Sequence, residues 1–315
     1  MTARIIMKMR VASARDESGG VRVLTLKHPL RDVLPEWEPG AHVDLRLPDG
    51  KIRQYSLCGD AGDRSQYRIA VKREENGRGG SKWVHDNLHS GAEAHVSAPR
   101  CNFRLHASAK RHVFVAGGIG ITPFLAMVQA VRKTGTPFKL AYCSSLARPP
   151  FFEELQRHCG DGVTFYPASG PGRRRFDAFA DLPEPAEGTH LYCCGPQRLT
   201  ESVRVAASRW PQDHVHFELF QPAFDENFVP EPFGITIAST GQRLHVPADK
   251  SALEILRQAG FVLSSSCELG VCGSCECGYR DGAVIHRDAV LSPNARQDRM
   301  MLCVSRARGH VTLDL

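Results

Sequence analysis

Four cysteines near the C-terminus constrain this chain more than any other feature. Cys267, Cys272 and Cys275 follow the spacing C-x4-C-x2-C, and Cys303 lies near the end. Thiolates so spaced converge on one compact group only if the intervening loop curls tightly. Gly270 and Gly273 permit the positive φ and close approach that such a curl needs. The pattern is the plant-type one for a [2Fe-2S] cluster, with Cys267, Cys272, Cys275 and Cys303 as ligands. Loop N–H groups and the hydroxyls of Ser266 or Ser274 can bond the sulfurs and tune the potential. A zinc site usually pairs two C-x2-C units, and only Cys272 and Cys275 form one here. Cys277 breaks the spacing and reads as a buried thiol.

The chain has 315 residues and eleven cysteines. Arg4, Lys8 and Arg10 interrupt the apolar stretch 1–11, and no small-residue cleavage site follows, so an export signal is not expected. Without export, so many thiols point to metal or redox chemistry in the cytoplasm. Hydrophobic and charged fractions of 42% and 23% are those of a globular protein and exclude disordered and fibrous classes. The net charge of +6 is dispersed, with no basic stripe for a nucleic-acid groove. Arg173-Arg174-Arg175 reads as a solvated run. Residues 113–131 carry no charge and are long enough to span a bilayer. Gly117, Gly118, Gly120, Thr122 and Pro123 in their middle instead predict a buried strand, a glycine turn and a helix. A monomer without nucleic-acid or membrane partners is expected.

Pattern divides the chain in three. Short strands at 5–14, 21–27, 42–47, 51–57, 67–72 and 94–98, separated by Gly- and Pro-rich turns, predict a six-stranded antiparallel β-barrel with one helix at 82–89. Strands at 112–116, 138–143, 163–167 and 190–194 then alternate with helices at 123–133, 151–158 and 199–209, which predicts an α/β domain with a parallel sheet. Residues 221–232 hold three prolines and read as a linker. A hairpin at 234–239 and 243–246, a helix at 251–259 and the cysteine loop complete the chain. The domains are set at 1–107, 108–222 and 233–315, with a linker at 223–232.

Two glycine-rich segments and two short motifs carry further chemistry. Arg53-Gln54-Tyr55-Ser56 ends a barrel strand: an aromatic ring can stack on an isoalloxazine, a serine can bond its N5, and an arginine can pair with phosphate. Gly77-Arg78-Gly79-Gly80-Ser81 presents free N–H groups to an anion at a helix N-terminus, with Ser81 able to cap the helix or hold phosphate. Ala70-Val71-Lys72 lies on the strand before it and can border the ring. Gly117-Gly118-Ile119-Gly120-Ile121-Thr122-Pro123 joins strand to helix and suits a pyrophosphate, although it is not the G-x-G-x-x-G fingerprint. Cys194-Gly195-Pro196 follows the last strand of the α/β domain, and Cys193 beside it is a second sulfur that could face the site.

The last eighty residues resemble plant-type ferredoxins, which implies a C-terminal β-grasp domain. The whole chain resembles the phthalate dioxygenase reductase family, with flavin, nicotinamide and ferredoxin domains in that order. Arg53-Gln54-Tyr55-Ser56 resembles the R-x-Y-S signature of the ferredoxin-reductase superfamily. The resemblance implies a flavin held by Arg53, Gln54, Tyr55, Ser56, Ala70, Val71, Lys72, Gly79, Gly80, Ser81, Thr122 and Phe220, and favours FMN over FAD. It implies a nicotinamide dinucleotide at Gly117, Gly118, Gly120, Thr122, Pro123, Cys194, Gly195 and Pro196. Ser56 and Cys194 are then the catalytic pair, Cys194 lying near nicotinamide C4. Arg148 can meet a 2′-phosphate or lie solvated; the family mostly uses NADH.

These sites imply a circuit. A hydride delivers two electrons together, a [2Fe-2S] cluster takes one, and a flavin can convert between them. The resemblance names a terminal, Rieske-type oxygenase as the acceptor. Plant-type clusters near −400 mV lie about 250 mV below the lower Rieske potentials, a gap worth roughly four powers of ten for one electron. An FAD-dependent reductase for a cytochrome P450 or a diiron oxygenase is the alternative enzyme. An iron–sulfur redox sensor is the alternative that is no enzyme.

Overall fold

The computed structural model describes residues 5–220 and 228–315; the segment 221–227, and with it part of the expected linker, lies outside the described residues. The chain divides into two units, Met1–Glu218 and Leu219–Leu315.

The first unit opens with β1 (Ile6–Glu17), β2 (Val21–Lys27), β3 (Ala41–Arg46), β4 (Ile52–Ser56), β5 (Tyr67–Lys72), α1 (Gly80–Asn87), β6 (Glu93–Ser97) and β7 (Arg100–Cys101). The strands pair antiparallel in the order β4-β3-β6-β1-β2-β5, and β7, which pattern does not announce, adds to β3. The sheet curls into a partly closed barrel whose ends meet at the bridge Leu57–Ile69. Alternation drives the curl: Met7, Met9 and Val11 point inward from β1 and are buried, while the residues between them face solvent.

The same unit continues through β8 (Arg111–Gly117), α2 (Thr122–Thr134), β9 (Phe138–Ser144), α3 (Phe152–Cys159), β10 (Val163–Pro167), α4 (Ala178–Asp181), β11 (Thr189–Cys194), α5 (Gln197–Ala206) and β12 (Val215–Glu218). All pairs are parallel, in the order β10-β9-β8-β11-β12. The uncharged run at 113–131 is thus β8, a tight turn and α2. Among the described residues no helix is long and apolar enough to cross a membrane. Pro123 suits the first turn of α2, and Gly135 ends it at φ 72°. Barrel residues Val21, Val23, Cys58, Ala70 and Phe103 share one apolar core with Phe114, Phe124, Tyr142 and Tyr192, so barrel and α/β sheet pack as one body. Burying each such aromatic contributes on the order of 1.5–3 kcal/mol.

The second unit holds β13 (Phe233–Ile237), β14 (Arg243–Val246), α6 (Ala252–Gln258), β15 (Glu276–Ile285), β16 (Arg299–Met301) and β17 (Arg306–Leu313). The sheet order is β14-β13-β17-β15-β16, with β13 and β17 parallel and the others antiparallel: a β-grasp. A capping box starts α6. Ser251 Oγ accepts the Glu254 N–H at 3.2 Å, and Glu254 Oε2 accepts the Ser251 N–H at 2.7 Å. Asp281-Gly282 forms a bulge in β15, where Gly282 at φ 115° lies close to the His310 carbonyl. Arg306 is buried, stacks 4.7 Å from the Phe233 ring, and donates to the carbonyls of Glu231 (2.6 Å) and Pro247 (3.0 Å).

At the N-terminal end of the parallel sheet five histidines assemble. His190 stacks between His106 (4.2 Å) and His214 (4.3 Å), its Nδ1 lies 3.0 Å from His216 Nε2, and His216 stacks on Tyr192. His112 packs on the other side of Tyr192. Burial, reinforced by the neighbouring rings, holds His112 and His190 down at about 4. A base with a lowered folded-state pKa takes up a proton on unfolding, so this stability is full above about pH 6.5 and is lost as pH falls towards 4. The midpoint of thermal unfolding should therefore drop steeply between pH 6.5 and 4.5. In a His112→Gln/His190→Gln variant the slope should be shallower; circular dichroism melts across that range check it.

Candidate cofactor sites

The sheet order places the chain's reversal between β8 and β11, and ligands of such sheets bind outside the carboxyl ends of the strands at that point. The two glycine motifs of the α/β lobe meet there. A Cβ on Gly117 would lie 3.3 Å from Gly195 Cα and 2.6 Å from Pro196 Cδ. A Cβ on Gly195 would lie 2.9 Å from Gly117 Cα, and one on Gly120 would lie 2.3 Å from the Cys194 carbonyl oxygen. Only glycine allows this contact, and it leaves the turn at 118–121 and the N-terminus of α2 beside Cys194-Gly195-Pro196. Thr122 is buried and its hydroxyl donates to the Ile119 carbonyl at 3.0 Å; Pro123 follows in the first turn.

Of the two sulfurs, Cys194 faces the core shared with the barrel, while Cys193 packs with Val113, Val115 and Val203 under α5. Burial pushes both thiols up, so Cys194 is a neutral, apolar wall and not a nucleophile. Opposite it on β12 stands Glu218, which motif reading passes over. The residue is half-buried, yet its Oε2 is buried without a hydrogen-bond partner. Burial pushes the carboxyl up to about 8, so it is protonated at pH 7. An acidic residue closing the short alternating stretch Val215-His216-Phe217 is the one sign of it in sequence. Phe220 follows in the second unit and is exposed.

On the barrel, Tyr55 is half-buried, with its phenol pushed up to about 12 by burial, and Ser56 is buried. Arg53 reaches across to the Arg78 carbonyl at 3.2 Å. Gly79, at φ 83°, leads into α1, and a Cβ on Gly80 would strike Arg53 Nε at 2.5 Å. Together these residues form a cradle of N–H groups roofed by a guanidinium, which suits a phosphate. Ser81 Oγ accepts the Glu74 N–H at 3.0 Å. Gln54 turns away, its Nε2 lying 3.0 Å from His42 Nε2 and 3.3 Å from Asp44 Oδ1. The 70–72 segment splits: Ala70 packs in the core that includes Ile121, Val71 points into the barrel, and Lys72 is exposed and paired with Glu74. β5 lies against the turn at 118–121, so the Ala70 side and the glycine turn share one region.

In the second unit Cys267, Cys272, Cys275 and Cys303 come together as two pairs. Cys267 donates to Cys272 and Cys303 to Cys275; the thiol of Cys272 falls to about 5 and that of Cys275 is also lowered. Each iron of a two-iron cluster takes two thiolates, so two pairs fit it. Among the described residues no three His, Cys, Asp or Glu form a donor set for a single metal ion. The Leu269 N–H lies 3.3 Å from Cys267 Sγ, and the N–H groups of Val271, Ser274 and Gly270 face Cys267, Cys272 and Cys303. Gly270 and Gly273 take φ 73° and 75°, and Glu268, without glycine's freedom, takes 54°. Its carboxylate is held by Arg257 on α6 and by Ser265 in the loop that follows: Arg257 Nη1 and Ser265 Oγ each donate to Glu268 Oε1 at 2.8 Å. Cys277 is a buried core thiol, pushed up to about 11.

Barrel, parallel α/β lobe and cysteine-bearing β-grasp define a flavin- and NAD(H)-dependent iron–sulfur oxidoreductase. Residues 235–308 match the family of 2Fe-2S iron-sulfur cluster binding domains. The chain is 40% identical, over 98% of its length and 96% of the relative's, to a phthalate 4,5-dioxygenase oxygenase reductase subunit of Pseudomonas putida. It is similar to the solved structure of a phthalate dioxygenase reductase, with a TM-score of 0.79 at 37% identity and 98% of both chains covered. It is also similar to part of an intact type IV self-sufficient cytochrome P450 monooxygenase, with a TM-score of 0.84 at 37% identity, covering 99% of this chain and 41% of that one. The chain belongs to the phthalate dioxygenase reductase family.

Gly120→Ala should weaken NADH binding about tenfold, the consequence of roughly 1.4 kcal/mol of displaced backbone, and leave flavin content unchanged. Gly80→Ala should do the reverse, displacing Arg53 and lowering flavin retention. Isothermal titration and absorbance of the released flavin check the pair.

Proposed function

We propose that the chain is the reductase component of a multicomponent oxygenase, moving electrons from NADH through FMN to its [2Fe-2S] cluster and on to a terminal, Rieske-type oxygenase. The observation that carries this reading is the meeting of Gly117 and Gly120 with Cys194-Gly195 at the sheet's reversal point, on the side that faces β5. FMN, when bound, supplies the conversion between paired and single electrons.

The chain's own residues supply the setting. The Gly117–Pro123 turn and Cys194-Gly195-Pro196 would hold the dinucleotide, with Cys194 a dry wall beside its reactive ring. Ser56 would donate to the flavin and Tyr55 would cover it, while Arg53 and Gly79-Gly80-Ser81 would hold the terminal phosphate. Ala70 would border the ring, and the 71–72 segment would meet it through backbone only. Cys267, Cys272, Cys275 and Cys303 would ligate the cluster. The domains are 1–107, 108–222 and 233–315, joined by 223–232, and the protein works in the cytoplasm as a monomer. The likeness to the self-sufficient P450 favours one second reading, a haem oxygenase as acceptor.

Anaerobic NADH added to the purified protein should bleach overlapping flavin and iron–sulfur bands; a protein without these bands, or unresponsive to NADH, would sink the reading. Cys272→Ser should abolish cytochrome c reduction and spare flavin reduction by NADH. A folded variant that loses both would show the order of transfer to be wrong. Glu218 makes a pH prediction. Above about pH 8 its carboxylate puts a buried negative charge where the hydride must arrive. Flavin reduction in rapid mixing should slow through that pH, and Glu218→Gln should remove the limb.

A further inference from the structure

Next to the cysteine loop lies a buried carboxylate that no ligand or cofactor contact explains. The Asp288 side chain is fully buried. Its Oδ2 accepts the N–H groups of Leu291 at 2.9 Å and Val290 at 3.2 Å, so it closes the turn in which it stands. Arg296 braces the turn from outside: its Nη2 donates to the Asp288 carbonyl at 2.7 Å and lies 3.6 Å from Oδ2. Tyr279 holds that segment in turn, donating to the Arg296 carbonyl at 2.7 Å. His286 Nδ1 stands 3.7 Å from Oδ1.

The turn acts on one residue of the loop. The Ala289 N–H donates to the Gly270 carbonyl at 3.0 Å. Gly270 is pressed between two walls: a Cβ there would lie 3.2 Å from Asp288 Cα and 2.6 Å from Val304 Cγ2. Its own N–H faces the Cys303 sulfur. The Gly270 carbonyl shares its peptide plane with the Val271 N–H, so a grip on that carbonyl sets the direction of the Val271 N–H, which faces the Cys267 sulfur.

We propose that Asp288 is a positioning residue for the iron–sulfur centre: by closing the 288–291 turn it fixes Ala289 on the Gly270 carbonyl and so aims the Val271 N–H at Cys267. An N–H dipole on a ligand sulfur stabilises the more negative, reduced cluster and raises its potential. The carboxylate's own charge works in the opposite direction, and the two effects separate by substitution. The proposal rests on reading Cys267 as a ligand.

The experiment compares Asp288→Asn, which keeps an oxygen acceptor for the two turn amides, with Asp288→Ala, which does not. Both remove the charge. Full-length holoprotein is titrated potentiometrically and the reduced cluster is observed by electron paramagnetic resonance. Asp288→Asn is expected to keep the native g values. Asp288→Ala should shift them and lie about tenfold further towards the oxidised cluster than Asp288→Asn, a difference of about 59 mV for one electron. Cluster loss in Asp288→Ala alone would support the same conclusion. Ala289→Pro removes the donor with the charge in place and should lower the potential below that of the native protein. Equal potentials and spectra for Asp288→Asn and Asp288→Ala, or a native spectrum and potential in Ala289→Pro, would overturn the proposal. A native protein without a [2Fe-2S] signal would instead overturn the ligand assignment itself.

Discussion

Gly117 and Gly195 meet backbone to backbone, and the first unit is arranged around that contact. Parallel strands β8 and β11 are neighbours in the sheet but far apart in the chain, so their carboxyl ends diverge into turns that run opposite ways. Any side chain at either glycine would drive the turns apart. Because none is present, the turn at 118–121 stays close to Cys194, and the start of α2 points its free N–H groups at the same crevice. The barrel contributes the remaining wall, since its core and that of the α/β lobe are continuous through Phe103, Phe114 and Tyr192.

Within that crevice, polarity is rationed by burial. Cys194 and Glu218 sit opposite one another, both forced to stay neutral by desolvation. Neither group adds a charge to the crevice. The second unit uses the opposite device. Around the cysteine pairs, N–H groups from the loop face the sulfurs and accommodate negative charge. Glu268 and Gly270 are held in left-handed backbone by Arg257 and Ser265 on one side and by the 288–291 turn on the other. Such conformations persist only where the surroundings over-determine them.

The elements that alternation or periodicity marks, such as β2 and β5, were legible in the sequence to the residue. Those absent from it have physical reasons. β7 and β16 are two and three residues long, too short to show a period. β15 contains Asp281-Gly282, whose chemistry is that of a turn, and becomes a strand only because a bulge accommodates it against β17. β12 is an edge strand of four residues, so the alternation of Val215-His216-Phe217-Glu218 is too brief to mark it, and all four positions are only partly buried. Gln54 belongs to the right motif, yet strand pairing turns it towards His42 and Asp44.

By itself, the sequence determined the chemistry available: four thiols at a spacing that suits two irons, glycines where backbone must approach an anion, and an R-x-Y-S strand end. These are local properties, set by residue type and separation along the chain. Tertiary structure decided which groups share a site. It turned Cys194 towards the core shared with the barrel and Cys193 towards α5, since strand pleat sends successive side chains to opposite faces of the sheet. It brought Glu218 opposite Cys194 and Asp288 behind Gly270, across separations that no motif records. Burial then settled their protonation and their partners, because desolvation depends on everything packed around a group and not on its neighbours in the chain.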